Sequence, residues 1–253
     1  MRVRAVWVVL LIPALAFAGS IENTQLLELP IKDIQSIDII CGPGSLDVFG
    51  VEGSNRINVT AAVKISGITQ NRLQAFLDRH VLLSLKNRNR KAILQSEFKN
   101  ESLMQADASI DLTVEVPKSL SVKIDDGSGS IFVTGLAKNL KIADGSGSIE
   151  IRMTTGPVSI SDGSGHIELT DITGNIEVKD GSGEINIGRV RGNVRIVDGS
   201  GSMTIKDIDG SLTVTDGSGS IEISDVSQNV FIEEAGSGTL EIEGVKGKVV
   251  KRE

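Results

Sequence analysis

Tyrosine is absent from this 253-residue chain; tryptophan and cysteine occur once each and histidine twice. Each shortage closes a route. A single thiol, Cys41, excludes an intramolecular disulfide framework. With no reactive partner in evidence it reads as a buried small hydrophobe. Trp7 sits within the first twenty residues, so the aromatics beyond them are Phe49, Phe76, Phe98, Phe132 and Phe231. That inventory disfavours sugar binding by ring stacking and an interface built on aromatic hot spots. His80 and His166 are far apart in sequence and read as ordinary histidines. No catalytic residue is assigned, and the chain reads as a non-enzyme.

Basic charge is short in the second half. Residues 126–253 carry 12 Lys+Arg against 20 Asp+Glu, whereas residues 1–125 carry 14 against 13. An acidic region lacks the footprint that nucleic-acid phosphates need, and it equally disfavours docking on anionic lipid. Long apolar runs are missing except at the start, MRVRAVWVVLLIPALAFAGS. There two arginines precede an apolar run from Val6 to Leu15, which contains Pro13 and is short for a membrane span. A small-x-small site follows at Ala16-Phe17-Ala18. This pattern predicts a secretory signal peptide over 1–18, cleaved before Gly19. The protein is therefore expected to be exported, periplasmic or extracellular, and not membrane-spanning after cleavage.

What the chain has in plenty is glycine, 28 residues, and much of it is periodic. The pentapeptide DGSGS recurs, whole or nearly whole, at Asp126, Asp144, Asp162, Asp180, Asp198 and Asp216, each 18 residues after the last. The next unit, AGSGTLEIEGVKGK, has lost the aspartate and slipped by one; CGPGSLDVFGVEG, at Cys41, is a degenerate early copy. Repetition at a fixed short period marks a stacked array. Each unit carries two alternating apolar runs, such as Ile185/Ile187 then Val194/Ile196. A fifth inward position lies at the far bend, at Leu136, Ile172, Val190, Ile208, Val226 and Val245. Period-two alternation of β-branched residues means strands with one buried face.

The expected fold is all-β: a single-domain parallel β-solenoid over 19–253, with coils of about 18 residues, so that each strand pairs with its own copy one coil away. Residues 36–65 form the first, irregular coils, 66–107 a helix and hairpin insertion or cap, and 108–253 the regular coils. In the insertion Leu73, Phe76, Leu77 and His80 have helical spacing, and the hairpin turns near Asn87 to Arg90.

At this point the chain resembles a known family. SIDIICGPGSLDVFG, IDLTVEVPKSLSVKIDDGSGSIFV and the train of DGSGSIEI units are similar to the bacterial putative-adhesin family, a domain of unknown function built on Gly-Ser-Gly β-solenoids. The likeness covers nearly all of the chain beyond the leader, and Val116-Pro117-Lys118 is its most particular mark. It implies an exported or envelope protein and supplies no catalytic or binding residues.

The repeated corner has a structural reading. It spans Gly145, Ser146 and Gly147, with equivalents at Gly163, Ser164 and Gly165; Gly181, Ser182 and Gly183; Gly199, Ser200 and Gly201; and Gly217, Ser218 and Gly219. The glycines permit positive φ and close backbone approach, the aspartate forms an Asx-turn, and stacked serine hydroxyls can bond along a ladder. No cofactor is required.

The alternative is a calcium-binding solenoid using the file Asp126, Asp144, Asp162, Asp180, Asp198 and Asp216. Like charges ~4.8 Å apart must face solvent, backbone donors or cations. The calcium β-roll pattern does not fit: aligned on Gly147, its ligand aspartate falls on Ile149. A third reading is a polysaccharide-active β-helix enzyme, although six near-equivalent aspartates lack the unlike environments that split catalytic pKa values.

The leading expectation is a cell-envelope scaffold or adhesin-like binding module. Its partner is an unknown envelope or extracellular protein or polymer, and it is a monomer or a weak end-on dimer. The charges of KGKVVKRE discourage end-to-end stacking.

Overall fold

A computed structural model describes residues 20–99 and 108–252; the signal peptide expected over 1–18 lies outside them. The chain is all-β, 69% strand with one short helix, and forms a parallel β-solenoid of about seven turns. It divides into two compact units, residues 1–130 and 131–253.

In the second unit each coil supplies one long and one short strand. The long strands are Gly147–Thr155, Gly165–Thr173, Gly183–Arg191, Gly201–Asp209 and Gly219–Val226. The short ones are Leu140–Asp144, Val158–Asp162, Ile176–Asp180, Val194–Asp198 and Leu212–Asp216. The strands pair in parallel with their copies 18 residues on, so Ile149 meets Ile167, then Ile185, Met203 and Ile221; past Gly219–Val226 the spacing becomes 19, with Ile221 against Leu240. On the other sheet Val158 meets Ile176, Val194 and Leu212. Like residues stack on like, and these inward rows are at most 2% exposed. Thr154 stands in register with Ile172 at the fifth inward position. It is buried, and its hydroxyl has no hydrogen-bond partner.

One feature of the coil is invisible in the alternation. The residue before that inward position is left-handed in five coils: Met153, Asp171, Arg189, Asp207 and Asp225 have φ between 50° and 59°. The left-handed region costs an ordinary L-residue ~1–2 kcal/mol, and aspartate and asparagine tolerate it best. Three of the five are aspartate. Met153 has no such excuse and is 62% exposed. Met153→Asn is therefore expected to stabilise the protein by ~0.5–1 kcal/mol, a rise in Tm of roughly 2–3 °C by thermal denaturation; an unchanged or lower Tm contradicts this account of the bend.

The slip in the AGSGTLEIEG unit is a β-bulge. Val214 pairs with Ile232 but Thr215 pairs with Glu234, leaving Glu233 as the extra residue. Its carboxylate binds Arg195 at 3.1 Å and the Thr215 hydroxyl at 3.2 Å. Beyond it Lys251 stands in register with the buried Ile232, a charge on an otherwise apolar row. Such a placement guards a sheet edge against further pairing.

The first unit mixes both pairing senses. Gly44–Val51 runs parallel to Ala108–Pro117, which is antiparallel to Arg56–Ser66, itself antiparallel to Ser20–Pro30. In the other sheet Ser121–Asp126 and Lys91–Phe98 flank Ser36–Cys41 in parallel, and Val81–Arg88 closes an antiparallel hairpin with Lys91–Phe98. The hairpin turns at Asn89 and Arg90, as expected. The helix is Gln70–His80, burying Leu73 and Leu77; the Phe76 and His80 rings lie 4.9 Å apart.

Two features of this unit depart from the sequence reading. Ser20–Pro30 is a strand that the sequence pattern does not reveal: buried Asn23 takes an inward place and apolar Leu26 an outward one, which masks the alternation. Residues 57–65 belong to one antiparallel strand and not to a first coil.

Candidate functional site

The repeated aspartates close the short strands, and alternation turns them inward. Leu140, Ile142 and Asp144 share one face, as do Ile176, Val178 and Asp180. They are therefore buried: Asp144 is 8% exposed, Asp162 and Asp180 7%, Asp198 4% and Asp216 0%. The file is in register, Asp144 with Asp162, Asp162 with Asp180, Asp180 with Asp198 and Asp198 with Asp216. In the first unit Asp126 is buried likewise and stands in register with Cys41, whose other neighbour is Ser96. The single cysteine is thus a buried member of a corner row, as expected.

Backbone donors brace these carboxylates in part. Asp126 and Asp144 accept from the N–H of the next glycine at 2.9 and 2.8 Å. Asp198 and Asp216 accept from the serine N–H two residues on, at 3.3 and 3.2 Å, which is the expected Asx geometry. The second oxygens of Asp144, Asp198 and Asp216 are buried with no hydrogen-bond partner, and both oxygens of Asp162 and Asp180 are buried with only loose contacts from the N–H groups of the following glycine and serine. Burial raises the pKa of all five. Asp180 is pushed up to about 6, by burial first and then by the charges of Asp162 and Asp198.

The two glycines of the corner divide the two roles expected of them, positive φ and close backbone approach. The fourth-place residues Gly165, Gly183, Gly201 and Gly219 have φ of 149° to 150°. A Cβ on Gly183 would lie 1.7 Å from the Gly165 carbonyl oxygen. The second-place Gly163, Gly181, Gly199 and Gly217 lack positive φ but need smallness: a Cβ would lie 2.4–2.5 Å from the carbonyl oxygen one coil below. The serine ladder is corrected. Among the described residues no hydrogen bond links the hydroxyls of Ser146, Ser164, Ser182, Ser200 and Ser218. Their carbonyls carry the stack, with Gly165 N–H donating to Ser182 and Gly183 N–H to Ser200, both at 3.0 Å. His166 lies outside the corner, 3.6 Å from Glu184.

Calcium needs six to eight oxygens converging on one point. The inward row offers a line of single carboxylates, and among the described residues no group of three or more His, Cys, Asp or Glu is arranged to hold a metal.

At the opposite bend the second unit has a groove of about 610 Å³ that crosses several coils. Lys141, Ser159, Glu177, Arg195 and Thr213 line it along the outward face of the short strands, and Asn175 and Asn193 line its edge. The asparagines form a ladder of their own: Asn175 Oδ1 accepts from Asn193 N–H at 3.0 Å, and Asn193 Oδ1 from Ser211 N–H at 2.9 Å. The sequence reading did not single these residues out. The signal available was the Asn in each Gly-Asn step at Gly174-Asn175 and Gly192-Asn193.

Fold and corner together define the class of protein: a parallel β-solenoid whose coils turn on an inward aspartate and two close-packed glycines. No family model and no curated protein matches the chain. Solved structures do. One, from Bacteroides fragilis and described as a putative adhesin, is 12% identical with a TM-score of 0.45, over 90% of this chain and 97% of that one. Another, from Parabacteroides distasonis and described as a putative lipid binding protein, is 15% identical with a TM-score of 0.47, over 90% and 94%. A putative adhesin from Parabacteroides merdae is 14% identical with a TM-score of 0.34, over 90% and 96%. No helix among the described residues is long and apolar enough to cross a membrane.

Proposed function

We propose that this protein is an exported, non-catalytic binding module of the bacterial cell envelope, adhesin-like in role, that holds an extended segment of a partner protein in the short-strand groove. The observation that carries this reading is the groove itself. It crosses successive coils, it is about 610 Å³, and its edge carries an amide in two adjacent coils, at Asn175 and Asn193. A linear partner with regularly spaced polar groups suits such a surface, as ladder-like recognition of extended peptides does elsewhere. Catalysis is poorly served there. Glu177 is the one carboxylate lining the groove, whereas glycoside hydrolysis ordinarily takes two, and the repeated aspartates face inward.

The test is capture on intact cells. Purified protein is cross-linked to cell-envelope fractions, and the captured species are identified by mass spectrometry, with Ser159→Arg and Thr213→Arg as groove-filling variants. Both sites point outward, so the Tm is expected to stay within ~1 °C of wild type. Capture of a defined partner is expected to fall at least tenfold. Equal capture by wild type and both variants removes the groove from the function.

A further inference from the structure

We propose that the file Asp144, Asp162, Asp180, Asp198 and Asp216 is a buried proton-binding site, in which neighbouring carboxyls share protons along the stack and the proton-loaded form is the stable form of the corner.

Three observations carry this. The five side chains are more than nine-tenths buried and in unbroken register. Copies one coil apart are ~4.8 Å from each other, and an O–H···O⁻ bond of ~2.5–2.7 Å is within reach when adjacent groups tilt together. Asp162 and Asp180, at the middle of the file, have both oxygens buried and are the most weakly braced, with only loose contacts from the N–H groups of Gly163 and Ser164 and of Gly181 and Ser182. The other members keep one orphan oxygen each. Backbone N–H groups are the donors all along the file, and each of the five carboxyls still keeps at least one buried oxygen that they do not satisfy. A shared proton satisfies these oxygens without the multidentate oxygen shell that a divalent cation demands, and it removes the repulsion between like charges in a row.

Among the described residues no lysine or arginine forms an ion pair with a carboxylate of the file. The long strands present Ile149, Ile167, Ile185, Met203 and Ile221 on their first inward row. On the short strands Lys179 lies outward against Glu177 at 3.4 Å. His166 and Glu184 pair with each other outside the corner. Glu234 is the one further charge felt, and it raises the pKa of Asp216.

Burial raises all five pKa values above 3.8, and neighbouring carboxylates add to this at Asp144, Asp180 and Asp216, with Asp180 pushed up to about 6. A group whose pKa is raised on folding contributes stability that is complete below its unfolded value, near 3.8, and that is lost as pH rises through the folded one. The folded file therefore holds more protons than the unfolded chain between about pH 4 and 6. Surface acids pull the other way: Asp171 and Glu233 are lowered by Arg189 and Arg195. A variant difference isolates the file.

The experiment has two parts. Carbon-13 NMR of the aspartate carboxyls of the wild-type protein is expected to show at least one resonance with a titration midpoint above 5. In parallel, Asp180→Asn keeps an acceptor for the corner but removes one ionisable group. Its Tm relative to wild type is expected to be higher at pH 7.5 than at pH 4.5 by roughly 3–5 °C. Midpoints for every aspartate below 4.5 overturn the proposal, whether or not the variant folds. So does a wild-type Tm at pH 7.5 that rises with millimolar calcium and falls with chelator, since the orphan oxygens would then hold a cation.

Discussion

Gly183→Ala is expected to destabilise the protein by roughly 2–6 kcal/mol, a large share of its total stability. The added methyl would sit 1.7 Å from the Gly165 carbonyl oxygen, and the residue would have to hold φ at 149°. Neither demand has a local remedy. The opposing atom is backbone, and Gly165 is itself fixed by the Ser182 carbonyl through its N–H, at 3.0 Å. Backbone strain of ~1–3 kcal/mol adds to overpacking of another ~1–3 kcal/mol, against a total stability on the order of 5–15 kcal/mol. Gly188→Ala, in the same strand, is the control. There a Cβ makes ordinary contacts with Lys206, its side chain at 3.5 Å and its carbonyl oxygen at 3.9 Å, and the φ is not left-handed, so replacing a strand glycine is expected to stabilise by ~0.5–1 kcal/mol. Circular dichroism melts of the two variants decide the matter. Similar Tm values would mean that the corner does not constrain the stack.

The second large effect is a cavity. Ile205 is fully buried and stacks between Ile187 and Ile223. Ile205→Ala is expected to cost ~2–5 kcal/mol and Ile205→Val ~0.5–1.5 kcal/mol. Because each coil contacts only its neighbours, the loss is local to three coils, and stability in such arrays is close to a sum of coil and interface terms. The urea transition of the alanine variant should therefore broaden, with a lower m-value than wild type, as the flanking coils separate. A parallel shift with m unchanged would instead show that the array unfolds as one cooperative block.

Much of this was legible beforehand because a solenoid is written in local signals. The 18-residue spacing from Asp144 to Asp216 sets the coil, and the alternation of Ile185/Ile187 and Val194/Ile196 sets which face is buried. Glycine in the fourth corner place can be recognised because no other residue fits a turn of that kind. The antiparallel strand Ser20–Pro30 was not legible. Its place is decided by pairing with Arg56–Ser66, some forty residues away, and its own alternation is masked. The left-handed row from Met153 to Asp225 escaped for a related reason: a single backbone kink leaves no periodicity, only a modest preference for aspartate. The groove escaped because its lining residues are mixed in type and adjacent only through stacking.

The sequence by itself thus determined the repeat, the strand faces and the need for glycine at each edge, since all three follow from steric and hydrophobic rules acting within a few residues. Only the tertiary structure decided the state of the aspartates. Whether Asp180 faces water or its own copies depends on which side of the pleat closes the short strand and on what packs above and below it. Those are long-range facts, and they turn a solvated acidic repeat into a buried carboxyl file with oxygens left unpaired.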